Sequence, residues 1–240
     1  DLALLDVIEE NKVDIIKLTP SHLALLKGKN YENSLIITMI VGGEDFKTDL
    51  ANSIQNSFSS ELKIYNEYGP TEATVGCTAQ QFNPKNTIQT SVPIGSPIAN
   101  MQTFILDDFG HPVPQGVVGE LYVAGAGLAK KYWEREGLTK EKFTKKYPTL
   151  APRMYRTGDL ARLNERGQLE YLGRVDQQVK ISGRRIELGE IEAALNTYML
   201  IENCVVTLQA ARNETLDPQL AAFYTGTKTA ANLLRDHLAR

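Results

Sequence analysis

The chain has 240 residues, 26 Lys plus Arg against 29 Asp plus Glu, a formal net charge of -3, and 42% hydrophobic and 23% charged residues. A chain of this length and composition folds around one substantial core and at most a small second one, which excludes a disordered or fibrous protein. The weak negative charge offers no attraction for a nucleic-acid backbone or an anionic membrane, and the longest apolar run, Leu35 to Val41, is broken by Thr38 and falls far short of the roughly 20 residues that span a bilayer.

From the start, an amphipathic segment around Leu2, Leu5 and Ile8 precedes a strand at Val13 to Leu18, and Thr19 and Pro20 read as the cap and first turn of a short helix. Leu35 to Val41 reads as a buried strand ending at Gly42-Gly43, Leu50, Ile54 and Phe58 keep helical spacing, and Leu62 to Tyr65 is a further short strand. This βαβ alternation predicts an α/β layer with a parallel sheet. From Gly76 to Gly173 the pattern changes to short alternating segments (Thr103 to Leu106, Val118 to Val123, Leu169 to Leu172) between turn formers, which is antiparallel sheet or barrel material. After Asp176 come a strand at Val179 to Ile181, a helix carrying Ile186, Ile191, Ala194 and Leu195, strands at Cys204 to Leu208 and Leu220 to Tyr224, and a last helix with Leu233, Leu234 and Leu238. The expected organisation is therefore residues 1–175, α/β then β-rich, followed by a small α+β unit over 176–240.

Cys77 and Cys204 lie far apart with no CxxC pair or His partner, so both are expected to be reduced and structural, as in a cytoplasmic protein. The chain begins at Asp1 without a Met or a charged-then-apolar leader, so no targeting signal is expected and the true start is expected to lie upstream.

Four strings carry chemistry. Asn66-Glu67-Tyr68-Gly69-Pro70-Thr71-Glu72 follows a strand and brings together an aromatic face able to stack on a purine, a hydroxyl able to donate to a phosphate and a carboxylate able to hold Mg²⁺. Gly119 to Ala129 sets a Gly-rich turn after a strand, but Lys130 stands where a dinucleotide fingerprint needs its third Gly, so a supporting structural role is expected. Tyr155-Arg156-Thr157-Gly158-Asp159-Leu160 reads as a tight turn at a strand end, presenting one acid suited to the two hydroxyls of a ribose, or simply a turn aspartate. Gly173 to Glu192 is dense in charge and glycine and runs into a helix, where Glu187, Glu190 and Glu192 can equally be first-turn acids.

In this order and spacing the strings resemble those of adenylate-forming enzymes, and their wording (NxYGPTE, GELxVxGxGLA, GRxDxQVKIxGxRIELGEIE) resembles the adenylation domains of nonribosomal peptide synthetases. The resemblance implies the adenylate-forming fold and ATP-dependent activation of an amino acid, followed by transfer to the phosphopantetheine of a peptidyl carrier protein among neighbouring synthetase domains. It implies that Tyr68 stacks on adenine with Asn66 and Gly43 nearby, that Thr71 contacts the α-phosphate, and that Glu72 binds Mg²⁺. Asp159 would hold the ribose, Tyr171 and Arg174 would flank the nucleotide, and Asp176 would be the hinge of the small domain. It also places a Ser/Thr/Gly-rich ATP loop and an amine-gripping Asp before Asp1, and a lysine after Arg240. A fragment that alone forms no aminoacyl adenylate is therefore the expectation.

Positions that line the amino-acid pocket in that family fall on Lys17, Ile40, Gly42, Glu67, Val75 and Gly76, a set resembling that of asparagine-activating domains. Lys17 can donate to a carboxamide oxygen and Glu67 can accept from its NH₂, while the two glycines leave room. An acyl-CoA or aryl-acid synthetase is the alternative within the class, and this polar pair speaks against its apolar substrates. A non-catalytic scaffold is the alternative outside it.

Overall fold

The computed structural model describes residues 2–87, 89–176, 178–181, 183–209 and 219–239. The chain divides into two units, Asp1–Val175 and Asp176–Arg240.

The first unit begins with helix α1 (Leu2–Glu10), strand β1 (Ile15–Leu18), helix α2 (Pro20–Ala24), strand β2 (Thr38–Gly42), helix α3 (Thr48–Ser57) and strand β3 (Lys63–Tyr68). Strands β1, β2 and β3 are parallel neighbours, as the βαβ pattern requires. Thr19 caps α2 by accepting from the His22 N–H, with Pro20 in its first turn. Apolar side chains of the helices and sheet, including Leu23, Met39, Val41, Ile54 and Ile64, are fully buried in one cluster.

Two sequence expectations shift here. The run from Leu35 to Val41 is strand only from Thr38, with Leu35 57% and Ile37 47% exposed. The N–H groups of Ile37 and Thr38 both bond to Asp14 O in the turn before β1, so the chain enters the sheet later than its hydropathy suggests. The sheet also extends past Gly76: β4 (Thr78–Gln81) and β5 (Ser96–Pro97) continue it antiparallel from β3.

The β-rich part consists of β6 (Met101–Leu106), β7 (Gly119–Gly125), helix α4 (Glu136–Lys142), β8 (Phe143–Thr144), β9 (Met154–Leu163) and β10 (Leu169–Arg174). Its strands lie in the antiparallel order β10-β9-β7-β6, with β8 alongside β9. Leu121 and Val123 of β7, Ala161 of β9 and Leu169 of β10 pack with Tyr68, Ala73 and Cys77 in a second core, which fastens this sheet to the end of β3.

In the second unit, β11 (Val179–Ile181) and β12 (Arg184–Ile186) form an antiparallel pair, helix α5 (Leu188–Asn196) follows, β13 (Ile201–Gln209) pairs antiparallel with β14 (Gln219–Gly226), and helix α6 (Ala231–Leu238) closes the segment. Ile186, expected in a helix, belongs to β12, while Leu188, Leu195, Ile201, Cys204 and Val206 form the unit's core. Gln177 and Ser182 of the last motif lie outside the described residues.

Candidate active site

Strand β3 organises the site because its side chains alternate between faces. Ile64, Asn66 and Tyr68 are buried on one face, and Tyr65 and Glu67 are half-buried on the other. The sequence reading put the whole NEYGPTE string in a loop. In fact Asn66, Glu67 and Tyr68 are still paired, with Gln80, Ala79 and Thr78 of β4, so the motif faces two ways.

On the Tyr68 face lies a charged cluster. The Tyr68 hydroxyl donates to Asp159 Oδ2, and Arg174 Nη1 donates to Asp159 Oδ1 at 2.7 Å and to Thr157 O at 3.1 Å. The Arg174 and Asp159 side chains are only 10% and 8% exposed, and removing one member of a buried pair of this kind costs about 3–5 kcal/mol. Burial first, and then the Asp159 charge and hydrogen bond, hold the Tyr68 phenol well above its usual range, so it is a donor at neutral pH. The Tyr171 ring stands 6.3 Å from that of Tyr68, tilted by 37°.

Asp159 is not at a strand end. It lies inside β9 at an irregularity where Glu120 pairs with Leu160 but Tyr122 pairs with Arg156, an interruption that Gly158 makes possible with its φ of 75°. Thr157 fixes the bulge: its hydroxyl donates to Leu121 O at 2.6 Å and accepts from the Asp159 N–H at 3.0 Å. Arg174 pairs opposite Asp159 at the matching shift in β10. Asn66 Nδ2 donates to Val92 O and Pro93 O at 2.8 and 3.0 Å, so its amide holds the segment that reaches β10 through the Gly95–Leu169 bridge. Gly43, exposed with a φ of 91°, turns the chain at the end of β2.

After Pro70 the chain forms a single turn of 3₁₀ helix, Thr71–Ala73, with Thr71 exposed and Glu72 7% exposed. The Gly-rich segment after β7 props this turn. Ala129 N–H donates to Glu72 O at 2.8 Å, and Thr74 Oγ1 donates to Gly127 O at 2.6 Å. A Cβ on Gly127 would stand 2.9 Å from Met101 Sδ. That is the supporting role expected from the sequence. Three residues beyond Ala129, the Tyr132 hydroxyl donates to Glu72 Oε1. The sequence reading missed this residue, and the only available signal was an aromatic directly after a site-supporting turn.

On the other face, Lys17 of β1 is the register partner of Ile40, and Gly42 that of Glu67, so these four residues share one side of the sheet. Lys17 Nζ pairs with Glu67 Oε2. With the two side chains 49% and 23% exposed, such a pair contributes only about 0–1 kcal/mol, so breaking it costs little. Thr74 and Val75 precede Gly76 in left-handed conformations, φ 58° and 72°, and Gly76 N–H closes a tight turn onto Thr74 O at 3.0 Å. A β-branched residue in that region stores about 1–3 kcal/mol of strain, a cost usually met at binding sites. Val75 is 55% exposed, and Gly76 lies against the Glu67 carboxylate.

Among the described residues no group of three or more His, Cys, Asp and Glu side chains gathers as a metal cage. A site with the single carboxylate of Glu72 suits Mg²⁺, which is commonly held by one or two carboxylates together with substrate phosphates. No helix among the described residues is long and apolar enough to cross a membrane.

Within this unit a parallel sheet joined to an antiparallel one brings an aromatic residue, a buried acid and an arginine together. The chain belongs to the AMP-binding enzyme family, whose profile matches residues 1–133. It is 48% identical over 206 residues to tyrocidine synthase 3 of Brevibacillus parabrevis, covering 86% of this chain and 3% of that protein. It is likewise 48% identical over 217 residues to bacitracin synthase 3 of Bacillus licheniformis, covering 90% of this chain and 3% of that protein. The chain thus spans a small part of the length of these synthetases. Among solved structures, the fold matches an artificially fused adenylation-PCP di-domain, NpsA-ThdA from Klebsiella oxytoca, with TM-score 0.82 and 25% identity over 99% of this chain and 44% of that one. It also matches the Vibrio cholerae adenylation domain AlmE in complex with glycyl-adenosine-5'-phosphate, with TM-score 0.86 and 25% identity over 99% of this chain and 46% of that one.

Proposed function

We propose that the chain supplies the nucleotide site and most of the side-chain pocket of an ATP-dependent amino-acid adenylating enzyme of nonribosomal peptide synthesis, with asparagine as the amino acid. The observation that carries this reading is the division of β3, which presents Tyr68 to the Asp159–Arg174 cluster on one face and Glu67 to Lys17 on the other. The glycyl adenylate bound by AlmE supports an aminoacyl adenylate as the product of the first step.

In this reading Tyr68 stacks on adenine beside Asn66 and Gly43, with Tyr171 flanking. Asp159 accepts from the ribose hydroxyls, and Arg174 donates to the same carboxylate. Thr71 donates to the α-phosphate, and Glu72 holds Mg²⁺, which supplies charge neutralisation for the phosphates. The amino-acid carboxylate attacks the α-phosphorus and pyrophosphate leaves, so the protein's share of catalysis is positioning and electrostatics. Lys17 donates to the carboxamide oxygen and Glu67 accepts from its NH₂ between Ile40, Gly42, Val75 and Gly76, the carboxamide replacing their mutual ion pair. An aspartate side chain would set its charge against Glu67, and a repelled polar group in such a pocket costs enough for strong discrimination. Asp176, at the boundary of the units, serves as the hinge. Transfer to the phosphopantetheine thiol of a carrier protein follows, a reading supported by the adenylation-PCP composition of NpsA-ThdA.

The test is pyrophosphate exchange by the full-length protein that carries this chain, with asparagine, aspartate, glutamine, benzoate and octanoate. Exchange is expected with asparagine well above the rest. Preference for benzoate or octanoate would replace the reading with an acyl or aryl-acid synthetase.

A further inference from the structure

The Glu72 side chain is held by a residue that none of the four sequence motifs includes. Glu72 is fixed twice by one short segment: Ala129 N–H donates to its carbonyl at 2.8 Å, and the Tyr132 phenol donates to carboxylate Oε1. Tyr132 is itself braced. Its N–H donates to Thr139 Oγ1 at 3.1 Å, its ring packs edge-on against Phe143 with centroids 5.5 Å apart, and its oxygen lies 3.4 Å from the Tyr155 hydroxyl. The Thr139 hydroxyl in turn donates to Arg135 O at 2.8 Å, so the brace is anchored at the start of α4.

A carboxylate on a two-carbon stem has rotational freedom that a metal site must remove. A phenol removes it without adding positive charge, whereas a lysine or arginine in the same place would compete with a cation for the carboxylate. Hydrogen bonds to metal-ligating carboxylates are worth roughly 10–100-fold in metal affinity. We propose that Tyr132 is a positioning residue that orients the Glu72 carboxylate for the divalent cation accompanying ATP. This inference rests on the reading of Glu72 as the Mg²⁺ carboxylate.

The test compares binding of Mn·ATP and of metal-free ATP by calorimetry in the full-length protein, for the wild type and for the Tyr132→Phe, Thr139→Ala and Glu72→Gln variants. Tyr132→Phe is expected to weaken Mn·ATP about tenfold and to leave metal-free ATP unchanged, since only the carboxylate's orientation is lost. Equal weakening of both ligands would mean a merely structural role and would overturn the inference, as would unchanged affinity for both. Should Tyr132→Phe not fold, Thr139→Ala, which removes the acceptor of the Tyr132 N–H, is expected to shift the ratio the same way by a smaller factor, and an unshifted ratio overturns the inference. Glu72→Gln separates the two ideas. If it loses the preference for Mn·ATP while Tyr132→Phe keeps it, only the positioning inference fails. If Glu72→Gln itself keeps the preference, the metal reading of Glu72 fails and takes the inference with it.

Discussion

Gly76 lies so close to Glu67 that a Cβ built on it would stand 2.5 Å from Oε1 of that carboxylate. The missing side chain is what leaves the Glu67 carboxylate room to lie where it meets Lys17. Gly76→Ala should therefore push aside the far end of a flexible side chain, at little cost to the fold. The KM for asparagine is expected to rise about tenfold, equivalent to about 1.4 kcal/mol of lost binding. Gly42→Ala differs in kind, because its Cβ would meet Glu67 O at 2.5 Å. Main chain must then move, and a stability loss of about 1–3 kcal/mol is expected. Urea unfolding and exchange kinetics on the two variants distinguish the cases, and equal stability losses would contradict the assignment.

Glu67→His replaces an acceptor with a group that donates. An incoming side-chain carboxylate is then no longer repelled, and it is attracted when the imidazole is charged. Preference should move from asparagine towards aspartate by roughly ten- to a hundredfold in the ratio of specificity constants, with glutamine poor in both forms. An unmoved ratio would remove Glu67 from the pocket and leave the nucleotide site untouched.

Glu72→Ala and Asp159→Ala should each impair adenylation, by different routes. The first should show as a raised Mg²⁺ requirement. The second should show as weaker ATP binding together with lost stability, since it leaves the 10%-exposed Arg174 side chain without its Asp159 partner. Near-normal turnover by both variants, measured by adenylate formation, would withdraw the nucleotide-site assignment.

Cys77 provides a test of the core beneath the site. Burial, followed by the charges of Asp159 and Glu67, pushes its thiol from 9.0 up to about 12. An unfolded chain releases this proton near pH 9 and the folded one near pH 12. The corresponding stability is thus complete below pH 9 and lost as pH rises towards 12, at about 1.4 kcal/mol per pH unit. Cys77→Ala should flatten that part of the stability profile. In the wild type, the thiol should resist alkylation at pH 8 until denaturant is added, and rapid modification of Cys77 in the native protein would refute its placement.

Much of the architecture was legible because periodicity and turn residues report burial directly. The helices at Leu50 to Phe58 and after Asp176, and the strands at Val118 and Leu169, came from spacing alone. The reading went astray where a hydrogen bond outweighed hydropathy. Leu35 and Ile37 look like core, but their N–H groups bond to Asn11 Oδ1 and Asp14 O ahead of β1, and Ile186 keeps helical spacing yet pairs with Val179. Asp159 looked like a turn aspartate because Gly158 reads as a break, although a single left-handed glycine inside a strand makes a bulge instead. The site's residue types were visible in its motifs, but the partnerships were not. Tyr68 with Asp159, Lys17 with Glu67 and Tyr132 with Glu72 are each separated by 50 residues or more, and only the folded sheets bring them together.

In the proposed reading, the alternation along β3 makes the two recognition tasks separable by parity. Even-numbered positions Asn66 and Tyr68 are tied to the 92–93 segment and to Asp159, and Glu67 alone between them faces Lys17. On that reading, a point substitution at 67 would change which side chain is welcomed while the cluster around Tyr68 keeps its geometry. Inserting or deleting one residue before 66 would exchange the faces and disable both at once. The strand would thus tolerate revision of its proposed cargo by substitution and resist it by shifts of register.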